Sequence, residues 1–561
     1  MLRNSISRAL TLAGACFAVI LPFLWWGSPS GHDFEFHVFS WMEVLGQWKY
    51  GIIYPRWAAL AHWGYGEARF LFYPPASWTL GAALGAILPW KMVPGAYCWI
   101  VLTLAGAAMY RLGREWLSPR DALFAGVFYA LNPYHLLIVY WRSAYAELLS
   151  AVLLPLLVLC LVRVFSPKSD THVHPTLWLS LVLAAAWLTN APAAVMIHYS
   201  AAGLALLLVA TGEPGGAGLE RQSRSIHWRG LIQIGIAIVL GAGLASFYLI
   251  PAIYEQKWID VTQVLSPGVR PQDNFLFTTL ADVDHNHFNF LVSSLATVEI
   301  GVLLLAIGFS RRGRTLTNCR TPWVLHSAWG LGCAILMLSV SNVVWQHLPK
   351  LRFMQLPFRW LLCMNAALAI LLTMASKRWM PRLMASAVLL AALIAAGHHF
   401  QPPWWDKAAD FREMSDAMAD GTGYEGTDEY VPAAADAYEL NKTLPRVSDE
   451  TGAPVGAKIM AWRPTEKHFT VHAAAAKNLT VRLYSYPAWD VVLNGQPVAI
   501  LKTDVTGLIV VPIAAGDNDV EIYFRRTIDR LVGGIVSLIT AAIFVIVWIT
   551  TKRGCTRERF A

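Results

Sequence analysis

The run His32-Asp33-Phe34-Glu35-Phe36-His37 puts four ionisable side chains within six residues, directly after an apolar stretch long enough to cross a bilayer. A carboxylate beside a membrane loses solvent, its pKa rises, and it becomes a candidate base for a hydroxyl proton. Asp33 and Glu35 are therefore candidate catalytic acids, and His32 and His37 are candidate supporting groups. The plainer alternative is a solvated loop at the end of a helix.

A second set of residues carries the opposite charge. Arg56, Arg69, Lys91, Arg142, Lys350, Arg352 and Arg359 fall on segments that the charge pattern described below assigns to the outer side, where cations are disfavoured. Ionisable groups at membrane depth mark ligand sites, and guanidinium forks match phosphate oxygens. Arg56, Lys91, Arg142 and Arg359 are thus candidate phosphate-binding residues, with snorkelling to lipid headgroups as the alternative. Arg142 and Glu147 are five apart, a poor spacing for a helical pair, so each is expected to pair elsewhere or to face a cavity. In Asp282-Val-Asp284-His285-Asn-His287, two carboxylates and two imidazoles within six residues could hold a divalent cation such as Mg or Mn. Short acidic loops of this kind also occur without metal.

These residues need elements to position them. The chain has 561 residues, 56% hydrophobic and 14% charged, against about 25% charged in soluble proteins. Apolar segments span residues 9–26, 94–110, 121–139, 145–165, 175–190, 192–211, 231–254, 289–309, 323–341, 359–376, 383–398 and 529–550. A bilayer core needs roughly 20 apolar residues per helix, so the fold class is a polytopic α-helical membrane protein with about 12–13 spans. The net charge of +8 is gathered into alternate gaps: Arg111, Arg114 and Arg120; Arg163 and Lys168; Arg221, Arg224 and Arg229; Arg311, Arg312, Arg314 and Arg320; Lys377, Arg378 and Arg382; and Lys552, Arg553, Arg557 and Arg559. This pattern suits the positive-inside rule, with both termini cytoplasmic, better than nucleic-acid binding. The seven cysteines, Cys16, Cys98, Cys160, Cys319, Cys333, Cys363 and Cys555, show no metal-ligand spacing. Arg3 and Arg8 precede an apolar run to Trp26 with no small-residue cleavage signal, which reads as a retained first helix. Residues 76–90 are apolar but short, and a full crossing would invert every later loop. They are expected to dip into the outer leaflet.

The expected outer segments are 27–93, 255–288, 342–358 and 399–528. The chain divides into a transmembrane unit, 1–398, an outer domain, 399–528, and a last helix with a basic tail, 529–561. The first half of the outer domain is acidic and loop-like, through Asp416, Asp420, Glu425, Asp428 and Glu429. Its second half shows period-two alternation at His468–His472, Leu479–Tyr484 and Asp519–Phe524. Asn494-Gly495 is a hairpin turn, Ala515-Gly516-Asp517-Asn518 is another, and a small β-sandwich is expected. Aromatic residues crowd the first outer segment, among them Trp41, Trp48, Tyr54, Trp57, Tyr73 and Trp78. They suit an interfacial belt or a surface for stacking sugar rings equally well.

Several of these runs resemble a group of bacterial membrane proteins described as carrying a 6-pyruvoyl-tetrahydropterin synthase-related membrane domain. They are Gly31 to His37, Ile53-Tyr54-Pro55-Arg56-Trp57, Gly64-Tyr65-Gly66, Phe72-Tyr73-Pro74-Pro75, Asn132-Pro133-Tyr134-His135, Arg142 to Glu147, and Gln355-Leu-Pro357-Phe-Arg359. The description implies no pterin chemistry. In layout the group is similar to the GT-C glycosyltransferases, which carry a catalytic acid in the first outer loop and use a polyprenyl-phosphate-linked sugar. The resemblance implies that Asp33 acts on the acceptor and that outer basic residues grip the donor phosphate, with Glu147, Tyr73, His135 and Gln355 as further cavity residues. Glu35 stands where many relatives carry proline. The implied activity is sugar transfer at the periplasmic face of a bacterial inner membrane, to a glycan, lipid or protein acceptor. Two rival expectations are a lipid-linked glycan flippase and a non-catalytic assembly protein that presents the outer domain.

Overall fold

The computed structural model describes residues 2–165, 175–211, 220–311, 320–433 and 435–558. Lys168, Arg312, Arg314, Cys319 and Arg559 lie outside these residues, as do the side chains of Arg3, Arg221, Arg224, Lys552, Arg553, Cys555 and Arg557. Among the described residues, nine helices are long and apolar enough to cross a membrane. Two further candidates are sharply bent. Trp228–Leu244 and Ser246–Trp258 meet at 74°, and Arg320–Leu336 and Ser339–His347 meet at 90°. Straight spans were expected over 231–254 and 323–341. At the first break the polypeptide turns over the last membrane helix, where Ser537 Oγ accepts from Phe247 N at 2.8 Å. This lateral hydrogen bond satisfies an amide that the bend removes from the helical ladder.

The apolar stretch 76–90 forms the helix Pro75–Gly85, whose 11 residues are only about 16 Å long, half of a bilayer core. It lies against the helix Phe34–Lys49. A Cβ on Gly81 would sit 2.2 Å from the Trp41 indole, so only glycine permits this approach.

The segment after residue 398 differs from expectation first in its acidic part. The acidic stretch after residue 399 contains the helix Ala408–Asp420, not a continuous loop. Lys407 N donates to Asp410 Oδ2 at its start, Gly421 ends it at φ +78°, and Phe411 and Met414 are buried. Its many charges hid a one-sided apolar stripe, and Phe411 meets Phe34 edge-on at 5.8 Å.

The sandwich forms as the alternation predicts. A two-stranded ribbon, β1 (Ser28–Pro29) with β2 (Trp405–Asp406), ties the first outer segment to the end of the helical unit. The remaining strands are β3 (Val447–Ser448), β4 (Lys458–Arg463), β5 (Glu466–Ala473), β6 (Lys477–Tyr484), β7 (Trp489–Leu493), β8 (Gln496–Val498), β9 (Leu501–Lys502), β10 (Leu508–Ile513) and β11 (Gly516–Phe524). They make a four-stranded sheet, β3-β6-β10-β9, and a five-stranded sheet, β4-β5-β11-β7-β8. Phe469, Val471, Val520 and Ile522 from one sheet pack with Leu479, Val481, Ile509 and Val511 from the other. Asn494-Gly495 turns with φ +51° and +77°, joining β7 to β8. The expected turn at 515–518 is shorter, because Gly516 already belongs to β11.

The sandwich is fastened to the first outer segment. Tyr484 N donates to Tyr65 O at 3.1 Å, and Tyr65 Oη donates to Asn441 O at 2.7 Å. In the linker before it, Tyr424 Oη donates to the buried Glu43 at 2.6 Å, and Thr427 N donates to Glu67 at 2.7 Å. Glu67 is also paired with the buried Arg69, whose Nη1 reaches Ser40 Oγ at 3.0 Å.

Candidate functional site

Asp33 is not in a free loop. It stands at the N-terminal boundary of the helix Phe34–Lys49 without a side-chain capping bond, and its backbone is strapped to residues 141–143. Gly31 N donates to Ser143 Oγ at 3.0 Å, and Ser143 Oγ donates to Pro29 O at 3.0 Å. His32 N donates to Trp141 O at 3.3 Å, and Asp33 N donates to Arg142 O at 2.9 Å. A Cβ on Gly31 would lie 2.2 Å from Trp141 O, so glycine is required for the strap to form.

Residues 119–142 set up the other side. The helix Pro119–Ala130 stops, and Asn132 caps a new turn by accepting from His135 N at 3.0 Å. The chain then widens into a π-helical turn, Ile138–Arg142, and Ser143 ends it in the left-handed region at φ +50°. A new helix begins at Tyr145. Arg142 and Glu147 therefore sit on opposite sides of a break, and the helical spacing rule does not apply to them. They pair directly, Arg142 Nη1 to Glu147 Oε2 at 2.6 Å. Arg359, from the turn Pro357–Trp360, donates to the same Oε2 through Nε at 3.1 Å. Tyr134 Oη donates to Glu147 Oε1 at 2.5 Å.

One buried carboxylate thus holds two buried guanidiniums, and the partly exposed Asp33 supplies the nearest second anion. Arg142 Nη2 faces Asp33 Oδ2 at 3.9 Å, and the Asp33 side chain is 43% exposed. Among the described residues, neither guanidinium donates a hydrogen bond to the protein from Nη2. Phe358 lies under Arg142, with the guanidinium 5.4 Å from the ring centroid. Burying two cations against one anion is unfavourable unless a further anion completes the set.

A cavity of about 1200 Å³ opens beside this cluster. His32, Asp33, Tyr73, Arg142, Glu147, Gln355 and Arg359 line it, together with Asp282, Asp284, His285 and His287. Burial holds the His32 imidazole below its ordinary range, against the pull of Asp33 and with the repulsion of Arg142. Its ring packs edge-on to Phe288 at 4.6 Å and Trp404 at 5.6 Å. Gln355 adopts φ +63° and donates to Val264 O at 2.9 Å, which shapes the turn ahead of Arg359.

Five of the sequence-derived candidates lie elsewhere. Glu35 follows Asp33 by two helical positions, about 200° around the axis, and is not in the cavity wall. Partial desolvation, with Asp406 and Glu425 nearby, holds its carboxyl above the usual range. His37 is fully enclosed by Trp41, Tyr73 and Tyr145, and burial pushes its imidazole down to about 3, with Arg69 and Arg142 adding to the effect. His135 is buried against Tyr129 and the Ala130 carbonyl. Lys91 lies in the short turn Trp90–Met92 and does not line the cavity. Arg56 is turned toward Tyr54 and the Phe247 carbonyl.

The suggested metal ligands reach the cavity but do not converge. Asp282 is occupied as a helix cap, accepting from Asp284 N and His285 N, and His285 Nε2 is 3.2 Å from Asp273 O. Among the described residues, the group whose ligand atoms could share one ion is His468, Asp519 and Glu521, within 4.8 Å of one another on the outer face of the sandwich. That cluster belongs to β5 and β11 and is separate from the cavity.

Sequence reasoning missed Thr427, Glu429 and Tyr430, which the linker brings into the cavity wall. Glu429 is held above the usual carboxylate range by desolvation, with Tyr430 opposing and Glu67 and Asp33 adding. The only signal was an acidic stretch of a kind that most loops carry.

Among known proteins, the described fold is similar to the arabinofuranosyltransferase AftD from Mycobacteria, with TM-score 0.43 and 14% identity over 73% of this chain and 28% of that one. It is also similar to the Archaeoglobus fulgidus oligosaccharyltransferase in its apo form, with TM-score 0.40 and 14% identity over 75% of this chain and 56% of that one. The chain thus spans about a quarter of the first and just over half of the second. No curated protein matches its sequence. A family model described as "6-pyruvoyl-tetrahydropterin synthase related domain; membrane protein" matches residues 70–401. That match runs from the first outer segment through Arg142, Glu147 and Arg359 to the last cavity-lining glutamine, more than half of the sequence, and the chain belongs to this family of membrane proteins.

Proposed function

We propose that the protein is a membrane glycosyltransferase that moves a sugar from a polyprenyl-phosphate-linked donor to an acceptor hydroxyl, at the periplasmic face of a bacterial inner membrane. The observation that carries this reading is the pair of buried guanidiniums held on Glu147, whose Nη2 groups donate to no protein acceptor among the described residues, with Asp33 3.9 Å from Arg142 in the same cavity. The donor enters from the bilayer and its phosphate accepts from the Nη2 groups of Arg142 and Arg359, which have no protein acceptor among the described residues. The acceptor oxygen attacks the anomeric carbon and the bond from that carbon to the phosphate oxygen breaks. Charge arriving on the leaving phosphate meets donors already in position. Asp33, the solvent-reachable acid, accepts or orients the acceptor proton. Glu429 and Thr427 sit where an acceptor would pass, so the outer domain contributes to recognising a glycan, lipid or protein acceptor. A divalent cation such as Mg or Mn, were one bound in the cavity, would be approached by Asp282 and Asp284 and would add positive charge beside the leaving phosphate.

The test incubates purified protein with polyprenyl-phosphate sugars and follows polyprenyl phosphate release. Asp33→Asn should slow transfer by roughly 10²–10⁴-fold, the usual contribution of a general base. Transfer by Asp33→Asn at the wild-type rate would refute the assignment.

One observation favours a second reading, lipid-linked glycan transport. Broken helices often mark transporter binding sites, and the first bent pair supplies Ala252 and Gln256 to the cavity. A translocation assay separates the two readings, since a transporter would not depend on Asp33 as a base.

A further inference from the structure

Arg56 is a partly buried arginine that makes no ion pair among the described residues. Its Nη2 donates to Phe247 O at 3.3 Å, its plane lies 4.3 Å from the Tyr54 ring, and its Nη1 has no hydrogen-bond partner. The Tyr54 hydroxyl beside it is also buried without a partner. Arginine does not escape this situation by losing its proton, so a counter-charge must come from outside the chain.

The neighbouring charges increase the need. Arg530 and Arg526 repel Arg56, while Glu255 attracts it. Glu255 is already engaged, by Arg530 Nε and Nη2 at 2.7 and 2.8 Å and by Tyr486 Oη at 2.7 Å. Asp529 lies beside Glu255, and its Oδ2 is buried without a hydrogen-bond partner among the described residues. Three guanidiniums therefore face two carboxylates. Arg526 is exposed, and a Cβ on Gly534 would lie 3.2 Å from its Nη2, so its guanidinium lies along the start of the last membrane helix. Ile528, Leu531, Val532 and Ile535 on that helix are exposed apolar residues, a surface suited to acyl chains. None of Tyr54, Arg56, Arg526 and Arg530 lines the 1200 Å³ cavity.

We propose that Arg56, with Arg526 and Arg530, forms a separate anion site at the bilayer boundary that holds the phosphodiester of an anionic phospholipid between the first outer segment and the last membrane helix. The orphaned Arg56 Nη1 is its central donor, and Arg526 closes it from the lipid side. The site stands apart from the proposed transfer reaction.

The test places the full chain in nanodiscs of phosphatidylcholine with or without phosphatidylglycerol, and then counts lipids retained on the released protein by native mass spectrometry. Wild type should retain phosphatidylglycerol at least tenfold better than Arg56→Gln, with Arg526→Gln in between. Equal retention by wild type and Arg56→Gln would overturn the site. If Arg56→Gln does not fold, the exposed Arg526→Gln decides: unchanged retention overturns the proposal, and reduced retention supports it. A parallel arm adds inorganic phosphate to phosphatidylcholine nanodiscs. A melting-temperature rise in wild type that is lost in Arg526→Gln, without selective lipid retention, would assign the site to free phosphate and overturn the lipid.

Discussion

Replacing Glu147 by glutamine would isolate the charge that organises the cavity. The substitution conserves volume. In the native protein, Oε2 receives Arg142 at 2.6 Å and Arg359 at 3.1 Å, while Oε1 receives Tyr134 at 2.5 Å. A glutamine can keep its carbonyl toward the two arginines and turn its amide to the tyrosine hydroxyl, which also accepts. The hydrogen bonds survive and the negative charge does not. Two buried guanidiniums would then keep only the partly exposed Asp33, 3.9 Å from Arg142, as a nearby anion, and removing one partner of a buried pair costs about 3–5 kcal/mol. Because the cavity admits solvent, the lower end, about 3 kcal/mol, is expected. An anion that binds the variant should restore much of this, about 2.7 kcal/mol at a hundredfold excess over Kd. The assay is chemical or thermal unfolding in detergent, with and without polyprenyl phosphate. Glu147→Gln should be about 3 kcal/mol less stable without the lipid and should gain more from it than wild type does. A variant within 1 kcal/mol of wild type in the absence of lipid, or one that gains no more than wild type, would refute the argument that the Glu147 charge holds the two arginines in place.

Two further outcomes follow from the geometry. Gly31→Ala would drive a methyl group into the Trp141 carbonyl, so a stability loss of about 1–3 kcal/mol and displacement of Asp33 are expected; unfolding and transfer assays on this variant check both. His37 is neutral in the fold, with its imidazole pushed down to about 3. The unfolded chain takes up that proton near pH 6.5 and the folded chain does not. Stability should therefore fall as pH drops below about 6.5, by about 2 kcal/mol at pH 5 from this group, and His37→Phe should remove that part of the slope in pH-dependent unfolding.

Much of the fold was legible because a bilayer imposes one strong rule, and each of the twelve apolar segments corresponds to helix. The sandwich strands were legible for a similar reason: one face of each is dry, and alternation records it. The bends at Ala245 and near Leu338 were not legible, since neither break carries a proline and each depends on packing. The Arg142–Glu147 pair was hidden by a π-helical turn and a left-handed serine, which alter the geometry behind any spacing rule. Asp33 and Glu35 looked like a pair in sequence because a loop was assumed; a helix starting at Phe34 turns them apart. Glu429 needed a contact across nearly four hundred residues, for which local sequence holds no record.

The ribbon of β1 with β2 has a consequence for biosynthesis. Ser28 and Pro29 find their partners, Asp406 and Trp405, only after roughly 380 more residues have been made. At ribosomal speeds of about 5–20 residues per second, the segment that carries Asp33 waits some 20–75 seconds, while ten further apolar segments are made. The strap to Trp141 and Arg142 forms early, but the ribbon and the cavity wall made by residues 427–430 arrive late. A chain that ends before that point lacks both the ribbon and the part of the cavity wall that Thr427, Glu429 and Tyr430 form.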